Sequence, residues 1–179
     1  EVFFDDVRVP LENVVGEIDH GWAVATALLS EERLRIGSPA IALKALERLR
    51  RMAADERFRA VDNPLFQERL AHAEIETETL IASYLSVAEA EHRGGGADSS
   101  YLKILATETV QAILDILQQV AGEGGPLRHP VSTDAGLLDY TEMFLQSRRL
   151  TIYGGTNEVQ RTIIATRVLG LPVAGKGKT

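Results

Sequence analysis

The chain has 179 residues, 45% of them hydrophobic and 25% charged, which is enough for one domain with a buried core. Lys and Arg number 19 against 26 Asp and Glu, a net charge of −7 with no basic run, which argues against nucleic acid as a partner. The absence of cysteine excludes disulfides and thiolate metal sites and fits a reducing, cytoplasmic setting.

Residues 2–9 are rich in β-branched and aromatic types around Asp5 and Asp6, and Pro10 stops the run, which predicts a strand. A strand without partners is marginal in water, so its sheet is expected upstream. The chain opens on Glu1 rather than Met and reads as a fragment or processed form. The longest apolar runs, such as residues 22–30, fall short of the roughly 18 residues a membrane span needs, so no membrane partner is expected.

From Trp22 the apolar period becomes about 3.6, predicting a helix to about residue 52. Leu28, Leu29, Ile36, Ile41, Leu43 and Leu46 supply its apolar faces, and Gly37-Ser38-Pro39 should kink it. Asn63 as N-cap and Pro64 at the first helical position open a second helix to about residue 91. Its stripe is Leu70, Ala73, Ile75, Leu80, Ile81, Tyr84, Leu85 and Val87. Asp98 or Ser99 caps a third, with Leu102, Leu105, Val110, Ile113, Leu114, Leu117 and Val120 at helical spacing. A shorter helix is expected from about Leu137 to Arg148, and a last one from Asn157 to Leu169, capped by Thr156 and stopped by Gly170 and Pro172. The expected fold is therefore all-α, an antiparallel up-and-down four-helix bundle over residues 19–172. A short β segment, residues 1–18, precedes it and a flexible tail, 173–179, follows.

Helical geometry singles out one carboxylate. At about 100° per residue, Glu32 shares a face with Ala25, Leu28, Ile36 and Leu43, while Glu31 points roughly 100° away. An ionisable group on an apolar stripe is costly unless it is paired or functional. From the helix alone, pairing with Arg33, Arg35 or another helix's cation and a catalytic role both stay open. Gly154-Gly155 is a second candidate: a backbone without side chains can approach a ligand closely, and the helix after Thr156 points its N–H groups toward the same place. His20, His72, His92 and His129 lack helical metal-ligand spacing, and Glu74, Glu76 and Glu78 fan around one helix, so no metal is expected.

Residues 145–172, with Ile152-Tyr153-Gly154-Gly155-Thr156-Asn157-Glu158 at their centre, resemble the C-terminal signature of the acyl-CoA dehydrogenase family. Residues 2–16 look like the last strands of that family's middle β-domain, so the resemblance spans nearly the whole chain. It implies α,β-desaturation of an acyl-CoA with FAD as cofactor, electron-transfer flavoprotein as acceptor, and a homo- or hetero-oligomer, dimer or tetramer. Where many members carry the catalytic base as Glu in Ile-Tyr-Glu-Gly-Thr, this chain has Gly154. Other branches draw the base from a Glu-Arg pair on the first bundle helix, which here is Glu32-Arg33.

The resemblance thus implies Glu32 as base, Arg33 and Gly155 as substrate contacts, and Thr156 and Glu158 as FAD contacts. Gln118-Gln119-Val120-Ala121-Gly122 is similar to a family stretch that reaches the adenine-nucleotide half of FAD on a neighbouring subunit, implying Gln118 and Gly122 as cofactor contacts. The family's Arg-x-x-Phe-Gly motif is not matched by Glu56-Arg57-Phe58-Arg59-Ala60, so Arg57 is not carried over. A base on the first bundle helix hints at branched, long or bulky acyl chains. The alternative is a non-catalytic subunit or helical oligomerisation domain that keeps only the fold.

Overall fold

The computed structural model describes residues 2–56, 58, 60–93, 99–122, 131–133 and 136–172, and for 29–31, 33, 91, 131, 133 and 136–138 only the backbone. Six α-helices are described: α1 (Gly21–Ile36), α2 (Ala40–Ala54), α3 (Pro64–His92), α4 (Ser100–Val120), α5 (Tyr140–Arg148) and α6 (Asn157–Ile163). Two strands, β1 (Val131–Thr133) and β2 (Gly136–Leu138), form an antiparallel hairpin in which Val131 faces Leu138 and Thr133 faces Gly136. The all-α expectation holds apart from this small hairpin.

Local chemistry sets most of the helix ends. Asn63 Oδ1 accepts from the backbone N–H of Leu65 at 3.0 Å, and Pro64 begins α3 where its missing donor costs nothing. Asp139 caps α5 by accepting from Glu142 N–H, and Thr156 caps α6 by accepting from Val159 N–H at 3.3 Å. Ser99 stands at the cap of α4, but its hydroxyl makes no capping bond.

α4 is the central element, packed against α1, α2, α3, α5 and α6. Leu49 of α2, Leu80 of α3 and Ile113 and Leu117 of α4 are fully enclosed and form the middle of the core. Burying such side chains contributes roughly 1.5–3 kcal/mol each, so this cluster supplies much of the fold's stability.

Several expectations are corrected. Residues 2–9 form no strand, and Phe3 and Phe4 stand more than four-fifths exposed at 83% and 81%; with no neighbouring strand to pair with, the segment has no ladder to join. The expected kinked first helix is two helices, because the residue before a proline is driven out of helical geometry and Pro39 starts α2 afresh. That break turns Ile41 and Leu43 outward, and on α3 Ile75 and Leu85 also face solvent. The helix expected from Leu137 starts at Tyr140, since Leu137 belongs to β2. The last helix keeps α geometry only to Ile163, and residues Ile164–Val168 widen into a π turn. Asp98 and the 173–179 tail lie outside the described residues.

Candidate active site

Glu32 projects from α1 toward the loop that precedes α6. A β-carbon added to Gly154 would stand 3.8 Å from Glu32 Oε1 and 2.5 Å from Ile36 Cδ1. The carboxylate therefore lies within van der Waals reach of the position where a side chain at 154 would begin, and Ile36 Cδ1 fills that position. Gly154 has φ +66° and Gly155 φ +84°, backbone states that cost an L side chain about 1–2 kcal/mol each. A β-carbon on Gly155 would also fall 2.5 Å from Gln160 Nε2. Positive φ favours glycine at both positions, and a side chain there would displace the ends of Ile36 and Gln160.

Two clefts meet at Glu32. One, of 220 Å³, is walled by Ile36 of α1, by Thr107 and Val110 of α4, and by Leu150 and Tyr153. The other, of 560 Å³, is walled by Leu28, Leu34 and Arg35 of α1 and by Tyr84 of α3. Arg35 borders both. The half-buried carboxylate thus sits between an apolar wall and an arginine, an arrangement suited to holding a polar group of a largely apolar ligand.

The loop is tied down from behind. Gln160, which has no exposed surface, donates from Nε2 to the carbonyls of Gly154 at 3.2 Å and Gly155 at 3.3 Å. Lys103, also without exposed surface, donates from Nζ to Asn157 Oδ1 at 2.7 Å. Burial lowers the Lys103 pKa, while the Glu158 and Glu108 carboxylates act to raise it. Glu158 is exposed, and hydrogen bonds from its own backbone N–H and from the Thr156 hydroxyl, with Arg161 and Lys103 nearby, hold its carboxyl below the usual range.

The structure brings Glu32 to Gly154, and Gly155, Thr156 and Glu158 follow directly in the loop and first turn of α6. It does not bring Gln118 and Gly122 to them. The cleft beside Glu32 meets α4 at Thr107 and Val110, and Val110 lies about 12 Å along the helix from Gln118 at 1.5 Å per residue, so Gln118 and Gly122 belong to the C-terminal end of α4, away from that cleft. At that far end the Gln118 amide nitrogen is buried without a hydrogen-bond partner among the described residues, none of which, its chain neighbours aside, has an atom within 4 Å of where a Gly122 β-carbon would stand. A separate cleft of 180 Å³ lies there, walled by Phe58, Asn63, Phe66, Arg69, Gln119 and Val120. The Arg33 side chain and Arg57 lie outside the described residues.

Sequence reasoning missed Arg35, Tyr84, Lys103 and Gln160. For Lys103 a signal existed: it falls on the helical spacing Ala106, Thr107, Val110 and Leu114, all of them buried. No group of three or more His, Asp or Glu that could hold a metal occurs among the described residues, and no described helix is long and apolar enough to cross a membrane.

An all-α domain that holds a carboxylate against a side-chain-free loop belongs to a recognisable class. Residues 19–169 match the acyl-CoA dehydrogenase C-terminal domain. The chain belongs to the acyl-CoA dehydrogenase family. It is 36% identical over 184 residues to acyl-CoA dehydrogenase FadE26 of Mycobacterium tuberculosis, covering 97% of this chain and 46% of that protein. It is 34% identical over 179 residues to acyl-CoA dehydrogenase IpdE1 of the same organism, covering 99% of this chain and 45% of that one. Among solved structures, the Tcur3481-Tcur3483 steroid acyl-CoA dehydrogenase superposes with a TM-score of 0.80 at 26% identity, over 96% of this chain and 45% of that chain. The ChsE4-ChsE5 complex from Mycobacterium tuberculosis superposes with a TM-score of 0.75 at 33% identity, over 96% and 46%. The chain thus spans a little under half the length of these relatives.

Proposed function

We propose that this chain is the C-terminal part of an FAD-dependent acyl-CoA dehydrogenase, with Glu32 as the base that removes the α-proton of an acyl-CoA thioester. The observation that carries this reading is the Glu32 carboxylate facing Gly154, with Oε1 3.8 Å from where a β-carbon at that position would stand. A base supplied from α1 replaces one supplied from the loop, and the proton's destination is Glu32 Oε1 or Oε2.

When bound, FAD supplies the acceptor for the β-hydrogen, which leaves as hydride. Residues of this chain fit that cofactor at two places. Thr156, Glu158 and the backbone of Gly155 border the Glu32 site, with Gly155 and Arg33 as substrate contacts. Gln118, whose buried amide lacks a partner, and Gly122, beside open space, would hold FAD at the far end of α4. Because one chain separates these two sets, a homo- or hetero-oligomer in which Gln118 and Gly122 serve a neighbour's FAD is the assembly that fits. The steroid acyl-CoA dehydrogenase relative and the wide cleft beside Glu32 favour a bulky acyl group. Electron-transfer flavoprotein is the proposed acceptor and the cytoplasm the proposed location, with residues 1–18 closing a preceding β-domain.

The test is Glu32→Gln in the complete subunit. Turnover of acyl-CoA should fall about 10²–10⁴-fold, the usual contribution of a general base, while flavin absorbance and melting temperature stay unchanged. Unchanged turnover would remove Glu32 from the role. A wild-type subunit that purifies without flavin would favour a non-catalytic one.

A further inference from the structure

Among the described residues Lys103 is the single charged side chain with no exposed surface. A buried ammonium is costlier than an apolar side chain of equal length, so core packing alone does not account for it. Its ammonium donates to Asn157 Oδ1 at 2.7 Å, on the first residue of α6. Asn157 is itself 2% exposed and donates from Nδ2 to Thr107 Oγ1 and Glu108 Oε1, each at 3.2 Å. Glu108 Oε1 accepts in addition from Arg161 Nη2 at 2.5 Å, which ties the next turn of α6 to the same carboxylate.

These bonds fix the start of α6 on α4. One turn further, Gln160 holds the carbonyls of Gly154 and Gly155, the loop that faces Glu32. The connection runs from the core of α4 through Asn157 and the first turn of α6 to the loop backbone, and then across to the carboxylate. Thr107 closes the circuit, since it bonds Asn157 and also walls the cleft beside Glu32.

We propose that Lys103 is a positioning residue, which through Asn157 sets the height of the Gly154-Gly155 loop above the Glu32 carboxylate. The inference rests on the reading of Glu32 as base. Two glycines with positive φ have no side chains to anchor them, so the loop's placement depends on what grips its ends. Lys103 and Gln160 are that grip, from two sides. Proton transfer tolerates little displacement: an error of about 1 Å in a reacting geometry can cost about 10²-fold in rate.

Lys103→Met in the complete flavin-loaded subunit tests this, read by hydrogen exchange of residues 152–160 and by steady-state kinetics. The expected result is a folded protein with roughly tenfold faster exchange in that segment, unchanged exchange in α2, kcat lower by about tenfold or more, and KM within about twofold. Lys103→Gln, which keeps a donor for Asn157 without the charge, should recover part of both losses. Exchange and kcat both at the wild-type level in Lys103→Met would overturn the proposal, as would a kcat loss with unaltered exchange. Should Lys103→Met fail to fold, Asn157→Ala takes the same two measurements, with the same outcomes deciding. If Glu32→Gln retains full turnover, it is the base assignment that fails, and the exchange data alone still decide whether Lys103 holds the loop.

Discussion

α1 and α2 follow one another with only residues 37–39 between them, yet they are built on opposite plans. α2 buries Ala42, Ala45, Leu46, Leu49, Met52 and Ala53 on one face and leaves Glu47, Arg50 and Arg51 on the other, where Arg51 pairs with Glu47 and Arg50 with Glu74. α1 buries none of its described side chains, and Trp22 and Leu28 are 78% and 68% exposed. The difference teaches where each helix spends its apolar surface. α2 completes its packing inside this chain and serves the core, whereas α1 lies on the core through a narrow contact with α4 and keeps Glu32 at the edge of two clefts. A helix that is not committed to packing can present a carboxylate to a ligand without burying it outright.

The contrast can be broken most forcefully at Leu49. Leu49→Ala should lower unfolding free energy by about 2–5 kcal/mol in urea titration, because the side chain is wholly enclosed, and turnover per folded subunit should not change. A loss below about 1 kcal/mol would mean that α2 is not the core helix described. Next comes Gly154→Ala, which joins the two plans. Its β-carbon would press on Ile36 Cδ1 in a positive-φ backbone, so a cost of about 1–2 kcal/mol is expected, with reduced turnover as Ile36 shifts against Glu32. Wild-type stability and turnover in that variant would show the loop to be loosely placed. The smallest effect is expected for Leu28→Ala, within about 0.5 kcal/mol in the chain of residues 1–179, since most of the side chain is in water. A loss several times larger in the complete subunit than in this chain would sharpen the contrast, by marking α1 as covered in the assembly.

Much of this architecture was legible from residue patterns. Asn63-Pro64 announces α3, and the stripe of α4 is read correctly because its apolar positions recur at helical spacing. The break at Ser38-Pro39 was readable as a disturbance but not as a full stop, since a proline can kink a helix or end one and the choice depends on packing. The hairpin at 131–138 escaped because each strand is three residues long, too short for alternation to show. Among the candidate residues, Glu32 is singled out by its place on a helix face, and Gly154 and Gly155 by their type. Gln160 and Lys103 could not be assigned from type alone, since buried amides and ammonium groups take their meaning from partners far along the chain. Lys103 meets Asn157 across 54 positions of sequence, a distance no local pattern reports.

The central place of α4 has a further consequence for how the molecule opens. Since α1, α2, α3, α5 and α6 all rest on it, α4 can lose its protection only when the whole cooperative unit unfolds, and its amides should be among the slowest to exchange. α1 stands at the other extreme: it can peel away while the α2, α3 and α4 core stays intact. The carboxylate at Glu32 therefore rides on the least protected long helix, against a loop moored to the most protected one. Opening of α1 would then part Glu32 from Gly154 while the α2, α3 and α4 core still holds.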